Sequence, residues 1–215
     1  NPVTLRGTYA AFSILLQADG YRLRSAKEKI NLDRLKEAKI FISVNALYDP
    51  EDWSLPARSA FTDKEIDLLR QWVFDGGNLF LVTDHMPCGG SLQALAAVFG
   101  IHVMNGFALR KDGQPEIFSR DRKTLLPNEI TAGSGKEIDS IMCWGGTGFT
   151  VPATAHIISL LNEEYEIYLP SDANQIKRPI PDDIPRISGK GFANGAYLRY
   201  GKGRNLIFGD GAPFS

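Results

Sequence analysis

Cysteine is nearly absent from this chain. Cys88 and Cys143, the two cysteines in 215 residues, supply no disulfide framework and no zinc-ligand spacing. They could pair with each other in an oxidising compartment or stand as two free thiols, so they assign no compartment. Long apolar runs are missing too. Nothing approaches the roughly 18 residues that a membrane-spanning helix needs, and no transmembrane segment is expected. Charge of one sign is also lacking: 24 Lys and Arg against 25 Asp and Glu leave a net charge of −1. A general attraction to nucleic acid or anionic membrane is therefore not expected. No internal repeat and no low-complexity tract is visible.

What is present is an ordinary globular composition, 43% hydrophobic and 23% charged, long enough to bury a core without staples. The most informative stretch is 61–106. Thr62 with Glu65 forms a capping-box pattern, and Ile66, Leu69 and Val73 share one helical face. Gly76 and Gly77 stop that helix. Residues 79–83, Leu-Phe-Leu-Val-Thr, are apolar on both sides, as a strand covered on both faces must be. Polarity changes at Asp84-His85, a second helix is read over 91–99, and a further strand over 101–104. Strands are also read over 21–25 and 40–44, and a hairpin over 192–208. The whole predicts a single α/β domain over 1–215, three-layer, with a mostly parallel sheet. Residues 110–190 read as a loop- and β-rich insertion. A helix over 8–19 with so little chain before it predicts a first strand upstream of Asn1.

Polar residues stand at three strand ends: Asn45, Asp84 with His85, and Asp210. In open α/β sheets ligands bind outside the carboxyl ends of strands, so these residues are expected around one crevice. Asp84, His85 and Asp210 are the catalytic candidates, because a carboxylate beside a histidine can orient the ring and raise its basicity. Two carboxylates with a histidine could also hold a divalent metal, although no metal site or cofactor is assigned. Equally, Asp84 could cap the following helix while His85 bonds to backbone. Trp144 and Gly145 open a glycine-rich loop expected beside the crevice; with Asn45, Asp84, His85 and Asp210 they complete the candidate ligand-binding set. That loop lacks the phosphate-loop pattern. Cys88 sits between a strand and a helix but four residues too late for a nucleophile elbow. His102 and His156 read as structural.

Certain stretches resemble a known group. Asp75-Gly76-Gly77-Asn78-Leu79, Thr83-Asp84-His85-Met86-Pro87, Asn105-Gly106-Phe107 and Phe208-Gly209-Asp210-Gly211-Ala212-Pro213-Phe214 carry the likeness. The chain resembles the class I glutamine amidotransferase-like superfamily, in an uncharacterised branch related to gliding-motility and ABC-transport-associated domains of unknown function. The resemblance implies the flavodoxin-like fold and a periplasmic or exported location. It does not imply glutamine hydrolysis, because Asp84-His85 stands where the elbow cysteine would be and no later His-x-Glu follows. The expected function is a domain that binds a small molecule or a protein partner at the strand-end crevice. The alternatives are a hydrolase using Asp84, His85 and Asp210, metal-assisted or not, and a structural module of an envelope assembly.

Overall fold

A computed structural model describes residues 7–26, 28–133 and 135–215. In chain order the elements are α1 (Ala10–Ala18), α2 (Leu32–Glu37), β1 (Ile40–Val44), α3 (Asp63–Phe74), β2 (Asn78–Val82) and α4 (Cys88–Ala97). The strands β3 (His102–Val103), β4 (Phe107–Arg110), β5 (Glu116–Ser119), β6 (Ser140–Cys143), β7 (Phe149–Thr150) and β8 (His156–Leu160) follow. β9 (Tyr165–Tyr168), β10 (Arg186–Ser188), β11 (Ala193–Tyr200) and β12 (Gly203–Phe208) complete the set, with a 3-10 turn at Ala212–Phe214.

Local chemistry sets the central unit. The Thr62 side chain accepts from the Glu65 N–H while the Glu65 carboxylate accepts from the Thr62 N–H, so two orphan donors of α3 are satisfied together. Ile66, Leu69, Trp72 and Val73 then turn inward. Gly76 ends the helix at φ 124°, a backbone state that L side chains rarely adopt. α4 begins at Cys88, earlier than the sequence suggests, because Gly89 and Gly90 bring its first turn against the Met104 carbonyl and the Ala57 and Asn105 side chains.

β2 lies between β1 and β12, parallel to both. β12 pairs antiparallel with β11, and β11 in turn with β7 and β8, while β3 pairs antiparallel with β7. The sheet is thus mixed, with its parallel part confined to β1, β2 and β12, and this corrects the expected mostly parallel sheet. The 192–208 hairpin supplies two interior strands rather than a flank, which is why antiparallel pairing takes over from the middle outward. Residues 21–26 form no strand. The 101–104 segment contributes only two paired residues, at the end of the sheet path opposite β1.

The two sheet faces differ. Leu79, Leu81 and Ile207 pack with residues of α2, α3 and α4 in one core. Phe80, Val82 and Phe208 face the other way, into a core with Phe118, Cys143, Tyr165 and Ile167 from β5, β6 and β9. α1 adds only Phe12, whose ring meets Phe80 at 6.0 Å and Phe214 at 5.4 Å. One face is therefore helical and the other largely β, so the expected three-layer flavodoxin-like arrangement gives way to a mixed α/β fold. Segment 110–190 supplies much of that β face, and its β7 and β8 also join the main sheet.

Candidate functional site

β1, β2 and β12 run the same way, so Asn45, Asp84 and Asp210 emerge from neighbouring carboxyl ends. The Asn45 N–H bonds to the Val82 carbonyl at 2.9 Å, and its backbone then turns left-handed at φ 45°. Asn tolerates that state better than most residues. The turn carries Nδ2 to the Asp84 carboxylate at 3.4 Å. Asp84 also accepts the His85 N–H at 2.9 Å, and the nearby Gly211 N–H favours its charged form. Asp210 accepts the Ala212 N–H at 2.7 Å and the Trp144 N–H at 2.5 Å. The two carboxylates thus tie three strand ends and the 144–148 loop together through backbone donors and the Asn45 side-chain amide.

They also act on each other. Asp210, 1% exposed, is pushed up to about 6, first by burial and then by the charge of Asp84, against the bonds from Ala212 and Trp144. Burial raises Asp84 as well, opposed by the charge of His85 and by its own hydrogen bonds. Glu116 on β5 is 4% exposed, has one carboxylate oxygen without a partner, and adds its charge to the field at Asp210.

His85 does not pair with either carboxylate. Its Nδ1 lies 2.6 Å from the Met86 carbonyl, and its ring stacks on Phe107 with centroids 4.3 Å apart. Trp53 in the 46–60 loop approaches the same ring at 6.5 Å. The sequence pair Asp84-His85 is therefore a carboxylate bonded to backbone beside an imidazole bonded to backbone. Asp84 does not cap α4, whose N-cap is Pro87. Trp144 contributes its N–H, while its side chain is 73% exposed. Gly145 takes φ 70°, and Gly146 passes so close to the Gly209 carbonyl and Asp210 that no Cβ could fit.

Two groups lie here that the sequence did not mark. Tyr9 places its hydroxyl where a Cβ of Gly211 would stand, and it is pushed up to about 12 by burial, Asp84 and Asp210. Glu116 is the second; it sits in a turn-rich segment with no pattern to single it out. Both cysteines are free and buried. Burial and then Asp84 push the Cys88 thiol up to about 12, the reverse of what a nucleophile requires. His102 and His156 are exposed, His156 stacking on Tyr197 at 4.9 Å. Among the described residues no group of three or more His, Cys, Asp or Glu is arranged to hold a metal ion. Two open clefts lie elsewhere: one of 780 Å³ lined by parts of 169–185, and one of 360 Å³ beside the start of β2. No helix is long and apolar enough to cross a membrane among the described residues.

No family matches the sequence, and no curated protein does. Solved structures do match in shape. The mmIFT52 N-terminal domain superimposes with a TM-score of 0.69 at 16% identity, over 100% of this chain and 84% of that one. Cytoplasmic protein STM1381 from Salmonella typhimurium LT2 gives 0.56 at 11% identity, over 94% of this chain and 75% of that one. Cytoplasmic protein STM3548 from Salmonella typhimurium gives 0.53 at 12%, over 94% and 74%. At these identities the likeness establishes a shared mixed α/β fold and nothing about activity.

Proposed function

We propose that this chain is a binding domain that takes a small molecule or a partner's side chain at the carboxyl ends of β1, β2 and β12. Its nearest functional description is an amidotransferase-like domain without the amidotransferase triad. One observation carries the reading. Asp84 and Asp210 converge from adjacent strand ends, and every donor bonded to them is a backbone N–H or the Asn45 amide. Carboxylates held this way are fixed acceptors. A general base needs a proton partner in line with it, and the His85 ring is bonded to backbone and stacked on Phe107 instead. For that reason binding is preferred to hydrolysis. Asp84 and His85 are partly exposed, and Trp53 and Tyr48 stand exposed on the adjoining loop, so a ligand has both polar and aromatic surface to meet.

A thermal-shift screen of small polar compounds tests this on the wild type, Asp84→Asn and Trp53→Ala. A compound that raises the melting temperature of the wild type and of neither variant supports the strand-end site. Stabilising compounds that act equally on all three proteins would place binding elsewhere, with the 780 Å³ cleft as the first alternative.

A further inference from the structure

We propose that the strand-end site recognises an organic cation carrying N–H donors, an ammonium or guanidinium head group, which bonds to Asp84 beneath Trp53. This rests on the binding-domain reading and adds the ligand's class. The first argument is a surplus of acceptors. Asn45 Oδ1 is buried and accepts nothing, although its amide Nδ2 is bonded to Asp84. Glu116, 4% exposed, keeps an unpartnered carboxylate oxygen and sets a third negative charge behind Asp210. Among the described residues no Lys or Arg forms an ion pair with Asp84, Asp210 or Glu116. Buried carboxylates without a cation are costly, and a ligand that brings one removes that cost.

The second argument is what the site withholds from anions. The first turn of α4 is the natural anion seat next to a strand end. Its donors are already bonded: Cys88 and Gly89 to the His85 carbonyl, Gly90 to Asn105 Oδ1, and Ser91 to the Pro87 carbonyl. Among the described residues no His, Cys, Asp or Glu group has metal-holding geometry, so the cation is one that hydrogen-bonds rather than one that coordinates. Third, the rim is aromatic. Trp53 is 46% exposed and 6.5 Å from the His85 ring. The same loop already seats one guanidinium on an aromatic face, that of Arg58 at 3.8 Å over Tyr48.

Titration of ¹⁵N-labelled protein by NMR tests the assignment. The probes are methylguanidinium, propylammonium, tetramethylammonium and the neutral polyol inositol. Methylguanidinium and propylammonium should shift the His85 and Gly211 amides and the Trp53 indole saturably in the millimolar range. Tetramethylammonium, with no N–H, should bind more weakly. Asp84→Asn should weaken the two N–H cations by about tenfold, and Trp53→Ala by about threefold, while an unchanged spectrum elsewhere shows the fold intact. Lowering the pH from about 7.5 to 5 should also weaken them by about tenfold as Asp210 takes up its proton. The groups bearing on that proton are Asp84 and Glu116, with His85, Cys88, Cys143 and Tyr9 around them. Absence of saturable shifts with any cation overturns the proposal, as does binding that Asp84→Asn leaves unchanged. Inositol shifting the same amides while the cations do not would overturn the cation class yet leave the binding domain standing.

Discussion

Opposing effects meet at Asp210, and the pH dependence of stability shows which wins. Burial raises its pKa and the charge of Asp84 raises it further, while N–H bonds from Ala212 and Trp144 lower it; the balance is about 6. An unfolded Asp titrates near 3.9. Between about pH 4 and 6 the native state therefore holds more protons than the unfolded one, and stability falls as pH rises through that window. A displacement of about two units corresponds to roughly 3 kcal/mol, fully present below about pH 4 and lost above about 6. Asp84 is displaced the same way, whereas Asp112 and Glu65 are displaced downward, so the wild-type curve alone mixes both signs. The difference between wild type and Asp210→Asn separates them. The variant leaves one N–H without an acceptor, an offset that does not vary with pH; the slope of the difference reports the titration. Urea unfolding across about pH 4 to 8 should show the wild type losing roughly 3 kcal/mol relative to the variant, with part of that amplitude belonging to the coupled Asp84. In Asp84→Asn the Asp210 step should move to lower pH, because one of the two main upward effects is removed. A flat difference curve, or one that rises with pH, would refute the reasoning and show that the backbone donors prevail.

Cys88→Ser should leave strand-end binding intact, and Cys88 in the folded protein should resist iodoacetamide near neutral pH, since its thiol is buried and pushed up to about 12. Rapid stoichiometric labelling of Cys88 would contradict this. Thr62→Ala should destabilise the fold by about 1 kcal/mol in chemical denaturation, as it removes the α3 capping box. Asn205 is 0% exposed with neither end of its amide partnered, and it pairs with Leu79 and Leu198 in the sheet. Asn205→Leu should therefore raise stability by about 1 kcal/mol or more; a loss of that size would mean the amide has a partner, such as an ordered water.

Helices and the parallel core were legible because their signals are local. Thr62 and Glu65 are three positions apart, and the apolar face of α3 repeats within its own turns. Residues 79–83 read as a doubly covered strand because both side-chain directions are apolar, and β2 indeed buries Leu79 and Leu81 in one core and Phe80 and Val82 in the other. The mixed character of the sheet was not legible. Pairing direction depends on which distant strand arrives alongside, and the 192–208 hairpin looks the same in sequence whether it closes an edge or fills the middle. Tyr21 to Ser25 fails for the converse reason. Its alternation suits a strand, but a strand exists only with a neighbour to pair with, and no described strand pairs with it.

At the site, position was legible and bonding was not. Asp84 and Asp210 come together because parallel strands deliver their ends to one place, a consequence of topology that strand-end residues reveal. What each carboxylate bonds to depends on ångström-scale loop paths. The left-handed turn at Asn45 swings its amide onto Asp84, and Gly146 lets the Trp144 N–H reach Asp210. His85 shows the limit most clearly. Next to a carboxylate in sequence, it reads as half of an acid–base pair. Yet adjacent residues point apart unless the backbone bends them together, and here Phe107 offers the ring a stacking face while the Met86 carbonyl takes Nδ1. The same local bend that denies His85 to Asp84 leaves the carboxylate to backbone N–H and the Asn45 amide, so the loss of a catalytic pair and the gain of a fixed acceptor have one structural cause.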